Sequence, residues 1–280
     1  MTHISKPARK RGVTRRSALK AASAGAATAT LASAGATQVQ SQGKGRTFVL
    51  IHGAWHGGWC WRPVADMLTA RGHKVYAPSL TGLADRSHLL STAINLDTHI
   101  ADIVNLFKWE DLQDAVLVGH SYGGWPISSA VEKVLPQVAS IVFVDAFVPE
   151  NGQKGMDLSS EQFQKALREA IAKGEPGRPV PNAEAFKIIG KKNIDWVQSK
   201  MTPQPTGLAI QPIVLTGARE KVGKKTYIRA AEYPQPSFDR YLAKAKADKW
   251  RTFEFKATEA GHDIMVDAPE KLAEILIDVA

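Results

Sequence analysis

The chain has 280 residues, 44% of them hydrophobic, which is enough to bury one sizeable core. Its formal charge is +9, but seven basic and no acidic side chains lie in residues 1–36, so the remainder carries only +2. This nearly neutral remainder does not indicate a polyanion partner, so we expect no nucleic-acid binding. A single cysteine, Cys60, excludes an intramolecular disulfide and a cysteine-based metal site.

Residues 1–36 have the composition of an export segment. The stretch TRRSALK at residues 14–20 resembles the twin-arginine signal, an alanine-rich run follows it, and AGA at residues 34–36 matches an A-x-A cleavage site. We expect a signal peptide over 1–36, a polar linker over 37–46, and a periplasmic or secreted domain over 47–280 without a membrane span. The alternative is a disordered alanine-rich tail on a cytoplasmic protein.

The domain begins with alternating strand and helix patterns. We predict a strand at 47–51, a helix at 62–71 with Pro63 in its first turn, a strand at 75–77, and a helix at 96–108. Residues 52–59, HGAWHGGW, follow the first strand directly. Their glycine content allows backbone N–H groups to approach a ligand closely.

The same alternation continues to the C-terminus. Strands are predicted at 115–118, 138–144, 225–231 and 251–256, and helices at 125–134, 237–247 and 269–279. This order predicts an α/β fold with a mostly parallel, doubly wound sheet. The proline-rich segment 149–211 shows helical fragments such as 160–173 and no convincing strand, so we expect a helical cap over the carboxyl edge of the sheet. Residues 213–215 could form one more short strand.

Ser121 lies at the centre of a G-x-S-x-G pentapeptide, GHSYG at 119–123, between a predicted strand and a predicted helix. Glycines on both sides of a serine permit the sharp strand-to-helix turn that exposes a nucleophilic hydroxyl. The alternative is an ordinary glycine-rich turn whose serine caps a helix. We predict that Ser121 is a nucleophile.

A serine nucleophile needs a histidine base, and the chain contains eight histidines. His262 is the best placed, because GHD at 261–263 follows the last predicted strand and so comes after the nucleophile and the acid. We interpret His52, His56 and His120, which flank the expected pocket, as structural residues.

The chain contains three motifs: LIHGAWHGGWCW at 50–61, GHSYGG at 119–124 and GHD at 261–263. Together they resemble the plant-type methylesterase and hydroxynitrile lyase branch of the α/β-hydrolases. The resemblance extends from about residue 47 to the C-terminus and is weakest through the cap. It implies an α/β-hydrolase fold and an oxyanion hole formed by the backbone N–H groups of Ala54 and Tyr122.

The position of the acidic residue of the expected triad differs from the pattern of that family. Plant-type relatives carry an aspartate soon after the strand predicted here at 225–231, whereas this loop contains Glu232 and no aspartate. Asp145 ends the apolar strand beside the nucleophile strand, where a carboxylate is costly unless it is paired. We favour Asp145 over Glu232, with Asp239 and Asp263 as further candidates. The alternative for Asp145 is a turn residue at a strand end.

The predicted function is a serine esterase without a cofactor or metal, which cleaves small, largely apolar carboxylic esters through an acyl-enzyme. Trp55, Trp125 and Phe147 are expected to line the substrate site, together with the cap residues Phe163 and Phe186. For each of these the alternative is core packing.

Two other functions compete with ester hydrolysis. Hydroxynitrile lyases of this branch carry a threonine and a lysine where this chain has Gly53 and Asp263, which disfavours C–C cleavage. The third hypothesis is a ligand-binding protein on a hydrolase scaffold, and the presence of both Ser121 and His262 argues against it. The expected partner is a small-molecule ester, and the sequence makes no prediction of the oligomeric state.

Overall fold

The computed structural model describes residues 45–231 and 233–280. The predicted signal peptide, most of the predicted linker and the alternative acid Glu232 therefore lie outside the described residues. Within the described part, no helix is both long and apolar enough to cross a bilayer.

Six parallel strands form the main sheet, in the spatial order β2-β1-β3-β4-β7-β8. They are β1 (Thr47–Ile51), β2 (Lys74–Tyr76), β3 (Ala115–His120), β4 (Val138–Val144), β7 (Lys224–Ala230) and β8 (Arg251–Phe255). Two further strands, β5 (Gly177–Arg178) and β6 (Gln204–Pro205), form a separate antiparallel pair. The predicted parallel α/β sheet is confirmed.

Helices cover both faces of the main sheet, as buried parallel strands require. In β3, Leu117 packs into one apolar layer and Val118 into the other, because successive side chains of a strand point to opposite faces. The helices are α1 (Arg62–Ala70), α2 (Leu96–Trp109), α3 (Gly124–Val134), α4 (Glu161–Ala172), α5 (Lys191–Lys200), α6 (Ala218–Lys221), α7 (Pro236–Ala247), α8 (Ile264–Asp267) and α9 (Pro269–Asp278). Side chains of α2, α3 and α7 fill the first layer, and those of α1 and α9 fill the second.

Local signals in the sequence explain where several helices begin. At the start of α2, the Asn95 side chain accepts from the Thr98 N–H, and the Thr98 hydroxyl accepts from the Asn95 N–H. A proline occupies the first turn of α1, α7 and α9, where its missing N–H has no intrahelical acceptor to lose.

The strand order reverses at β1, which lies between β2 and β3. The chain passes from β1 outward to β2 and then returns to the other side of β1 to form β3. Ligands of open α/β sheets bind at the carboxyl ends of the strands at such a switch point. The two loops that meet there follow β1 and β3, and they carry Ala54 and Ser121.

Two details of the predicted strands need correction. The segment 149–211 was expected to contain no strand, but β5 and β6 pair there with Arg178 opposite Gln204. Strands of two residues are too short to show an alternating pattern. Residues 213–215 form no strand, because Ile213 exchanges hydrogen bonds of 2.8 Å with the turn at Gly152 and Gln153 instead of joining the sheet.

Candidate active site

Ser121 lies in a strained turn between β3 and α3. Its φ is +51°, a left-handed conformation that non-glycine residues seldom adopt. The two glycines that follow are required by close backbone contacts. A Cβ on Gly123 would lie 2.8 Å from the Ile51 carbonyl oxygen, and one on Gly124 would lie 1.9 Å from the Phe147 carbonyl oxygen. The turn therefore fixes the serine hydroxyl at the carboxyl edge of the sheet.

Ser121, His262 and Asp145 lie in one continuous chain of hydrogen bonds. The Ser121 Oγ is 2.9 Å from His262 Nε2, and His262 Nδ1 is 2.6 Å from Asp145 Oδ2. Because Asp145 accepts from Nδ1, Nε2 is free to accept the serine proton. Asp145 directly follows β4 with a φ of +42°, so the acid also occupies a strained position.

The Asp145 carboxylate is fully buried and has donors on both oxygens. While Oδ2 contacts His262, Oδ1 accepts from Arg229 Nη1 at 2.8 Å and from the Ala230 N–H at 3.0 Å. The Arg229 side chain extends onward to Asp239 Oδ1, 2.8 Å from Nη2. Arg229 was not singled out in the sequence, although a charged residue inside the buried strand TYIRA is a signal that could have identified it.

The other candidate acids have different partners. Asp239 is largely exposed and contacts the far side of the Arg229 guanidinium. Asp263 is fully buried, 2.9 Å from His56 Nε2. Glu232 is not among the described residues.

Three buried histidines hold the backbone around the site. His52 accepts from the Leu80 N–H through Nε2, so its Nδ1 donates to the Gly53 carbonyl. Burial lowers the pKa of His52 to about 3, which keeps the ring neutral. His120 Nε2 is 3.0 Å from the His262 carbonyl oxygen and fixes the backbone of that residue.

His56 donates from both ring nitrogens, to the Ala54 carbonyl at 2.7 Å and to the Asp263 carboxylate at 2.9 Å. Burial alone would lower the pKa of His56, but the charge of Asp263 together with the hydrogen bonds to Asp263 and to the Ala54 carbonyl outweighs it, so the pKa lies above its usual value. The pair therefore links the loop after β1 to the loop that carries His262.

The predicted oxyanion donors are the backbone N–H groups of Ala54 and Tyr122, and both residues lie beside Ser121 in the site. The Ala54 N–H has no acceptor among the residues that the structure describes. Tyr122 is the second residue of the 3₁₀ turn Ser121–Gly123, where N–H groups have no intrahelical acceptor. Trp55, next to Ala54, has a φ of +63° and is held by Gln204 Oε1 at its N–H and by the Thr202 N–H at its carbonyl.

A pocket of about 190 Å³ opens above Ser121. An apolar cavity of roughly 150 Å³ takes up benzene, so this pocket accepts a group about the size of one aromatic ring. All five predicted aromatic residues line it: Trp55, Trp125, Phe147, Phe163 and Phe186. Ala54, Tyr122 and His262 line it as well.

Two aromatic residues that the sequence did not single out, Tyr233 and Phe238, also line the pocket. The Tyr233 ring stacks on His262, with centroids 4.1 Å apart and an interplanar angle of 12°. Burial raises the pKa of Tyr233 to about 12, so its hydroxyl is neutral at physiological pH. The Phe238 ring also packs against the imidazole, with centroids 5.8 Å apart. Over 45–231 and 233–280, no cluster of three or more metal-ligating side chains is present.

Comparison with known proteins identifies the family. The sequence matches the alpha/beta hydrolase family over residues 48–275. It is 40% identical over 241 residues to a carbendazim hydrolyzing esterase of Nocardioides sp. (strain SG-4G), with 82% of this chain and 97% of that protein covered. Methylesterase 10 of Arabidopsis thaliana is 25% identical over 260 residues, with 83% and 91% covered. Among solved structures, an extracellular alpha/beta-hydrolase from a Paenibacillus species has a TM-score of 0.70 at 24% identity, with 84% and 99% covered.

The chain therefore belongs to the alpha/beta hydrolase family. The family resemblance seen in the three sequence motifs is confirmed, and so is the fold. Similarity to an esterase over most of both chains supports a carboxylic-ester hydrolase that acts on a small-molecule ester.

Proposed function

We propose that the protein hydrolyses carboxylic esters of small, largely apolar substrates through an acyl-enzyme formed on Ser121. The observation that carries this proposal is the continuous hydrogen-bonded chain from Ser121 through His262 to Asp145, with contacts of 2.9 and 2.6 Å. In the roles of a serine triad, Ser121 is the nucleophile, His262 the general base and Asp145 the acid that orients the imidazole.

The reaction proceeds in two halves. The Ser121 oxygen adds to the ester carbonyl as its proton passes to His262 Nε2, and the backbone N–H groups of Ala54 and Tyr122 bind the oxyanion. Each such donor is worth roughly 2.7–4 kcal/mol of transition-state stabilisation. The alcohol then leaves with the proton held by His262. Water attacks the acyl-enzyme in the same way and restores the serine.

The segment 149–211 acts in this proposal as a cap that completes the apolar pocket. Phe163 and Phe186, which lie in it, face the same cavity as Ser121. Residues 1–36 act as a twin-arginine signal that directs the protein to the periplasm or the medium.

The lack of space for a side chain at Gly53 disfavours the hydroxynitrile lyase alternative. A Cβ at this position would lie 2.8 Å from His120 Nδ1 and 2.9 Å from Ser121 Cβ, so the threonine of the lyases could not be accommodated without movement of the site. The complete hydrogen-bonded series from Ser121 through His262 to Asp145 disfavours the ligand-binding alternative, because binding alone does not require it.

The function is tested with a short p-nitrophenyl ester. Wild-type protein should turn over many equivalents, and Ser121→Ala should lose at least about 10³-fold in kcat. Ser129→Ala is the matched control, because this serine lies on α3 and its hydroxyl donates to the Val214 carbonyl at 3.3 Å, so the variant should retain activity. Release of a single equivalent of p-nitrophenol by the wild type, or full turnover by Ser121→Ala, would contradict the proposal.

A further inference from the structure

Arg178 places a positive charge in the wall of the pocket above Ser121. It belongs to β5, in the segment between β4 and β7. Its guanidinium carbon lies 5.0 Å from the ring centroid of Trp55 and 4.9 Å from that of Phe163. The two aromatic faces fix the plane of the guanidinium and attract its charge.

The guanidinium lacks a hydrogen-bond acceptor among the described residues. Its Nε is buried without a partner, and no carboxylate of the described part lies within ion-pair distance of the side chain. An arginine offers five N–H donors, and aromatic faces accept none of them in the usual geometry. Arg178 is half-buried, and its enclosed Nε has no acceptor among these residues. Because a polar donor shielded from water is costly without a partner, this donor points to an anionic group of a ligand.

Arg178 carries its charge at neutral pH. Burial lowers the pKa of Arg178 to about 10, which still leaves the group protonated under physiological conditions. The other pocket-lining side chains among the described residues are neutral or, in His262, engaged with Asp145. A ligand in the pocket therefore meets one fixed positive charge within otherwise mainly apolar walls.

The position of Arg178 is tied to the oxyanion loop. In the β5–β6 pair, Arg178 lies opposite Gln204, and Gln204 Oε1 accepts from the Trp55 N–H at 2.8 Å. Trp55 is adjacent to Ala54, and its ring contacts the guanidinium. The charge and the proposed oxyanion donor are thus connected through Gln204 and Trp55. Arg178 and Ala54 both line one cavity.

We propose that Arg178 binds a carboxylate carried by the substrate, so that the preferred substrates are esters with a free carboxylate beside the scissile ester, such as monoesters of dicarboxylic acids. This inference rests on the proposed ester hydrolysis. The bond between the acyl carbon and the alcohol oxygen breaks at Ser121 as described above, and the alcohol leaves with the proton from His262. The carboxylate on Arg178 is unchanged by the reaction and fixes the substrate orientation.

The test compares two esters that differ in this charge, mono-p-nitrophenyl glutarate and p-nitrophenyl valerate. We expect wild-type kcat/KM to be at least tenfold higher for the glutarate. In Arg178→Gln, the ratio of the two kcat/KM values should fall by about 10- to 100-fold, the usual effect of losing hydrogen bonds to a charged group. Arg178→Lys should keep part of the preference. The exposed Arg168 on α4 supplies the control, since Arg168→Gln should leave the ratio unchanged.

A wild type that hydrolyses the valerate as well as the glutarate would overturn the proposal, and this holds even if Arg178→Gln fails to fold. Equal losses for both esters in Arg178→Gln would also overturn it. If the wild type turned over neither ester, ester hydrolysis itself would fail. The anion site would then be tested by tryptophan fluorescence during titration with monomethyl glutarate, where binding lost in Arg178→Gln supports it and undiminished binding refutes it.

Discussion

Arg229 and Asp145 form an ion pair in which both side chains are almost fully buried, with Nη1 2.8 Å from Oδ1. The contact lies on one oxygen of the carboxylate, and His262 contacts the other. Arg229 thereby offsets the cost of burying a charged acid at the end of β4. It also holds the carboxylate in the orientation in which Oδ2 faces the imidazole.

Replacing Arg229 by Met should both destabilise the protein and reduce its activity. Removing one partner of a buried ion pair typically costs about 3–5 kcal/mol, since the other charge remains buried without it. Urea unfolding measures this loss, and kcat for a p-nitrophenyl ester should fall because Asp145 is less well oriented. Asp239→Asn is the control: this partner is 63% exposed, so its loss should cost less than about 1 kcal/mol. Equal losses of stability and of kcat in the two variants would contradict this role of the buried Arg229–Asp145 pair.

The identity of the acid leads to a second prediction. Asp145→Asn should lower kcat by about 10⁴-fold, as the equivalent change does in a serine protease, because an amide favours the wrong imidazole tautomer. Glu232→Gln should leave kcat within a few-fold of wild type. Steady-state kinetics of both variants, with thermal melting to check folding, measure the difference. The reverse ranking would assign the acid to Glu232.

Features that depend on short stretches of sequence could be predicted, whereas features that depend on contacts between distant segments could not. The strands and helices that flank Ser121 were correctly predicted, because their apolar periods and glycines are short-range signals. Asp145 could be proposed from a single buried strand. Arg229 could not, since its importance depends on β4 and β7 being neighbours, and these strands are separated by about 80 residues in the chain. Arg178 lies on a strand of two residues, too short for any periodicity.

Gly53 is predicted to tolerate no side chain. A Cβ there would come within 3.0 Å of both His120 and Ser121, so Gly53→Ala should displace the nucleophile or the ring beside it. A displacement of about 1 Å can cost on the order of 10²-fold in rate, and overpacking typically costs about 1–3 kcal/mol. Gly223→Ala is the matched control, because a Cβ at Gly223 meets nothing within 4 Å. An active, stable Gly53→Ala would contradict the tight packing of this loop.

Export through the twin-arginine route is predicted from residues 14–20, which lie outside the described residues. Replacing Arg15 and Arg16 together by Lys keeps the charge and removes the recognised pair, so precursor should accumulate in the cytoplasm of an expressing bacterium. Fractionation and esterase assays of each compartment measure the outcome. The same replacement of the nearby Arg9 and Arg11 should leave export intact. Undiminished export of the variant with Arg15 and Arg16 replaced would contradict the prediction of a twin-arginine signal.

The buried neutral histidines predict that stability falls as the solution is acidified below about pH 6.5, the usual histidine pKa. Burial lowers the pKa of His52 to about 3 and that of His99 to about 4, and it also lowers the pKa of His120. Between these values and 6.5 the unfolded chain binds protons that the folded chain excludes, so each histidine contributes a loss of about 1.4 kcal/mol per pH unit. His56, whose pKa is raised, stabilises the fold below pH 6.5 and loses this contribution only as the pH rises through its folded value. Urea unfolding at pH 7, 6 and 5 measures how the free energy of unfolding changes with pH. His99→Gln should reduce this slope by the contribution of one histidine, about 1.4 kcal/mol per pH unit. The exposed His88 supplies the control, since His88→Gln should leave the slope unchanged. A stability that is flat over this range would show that these rings are protonated in the folded protein.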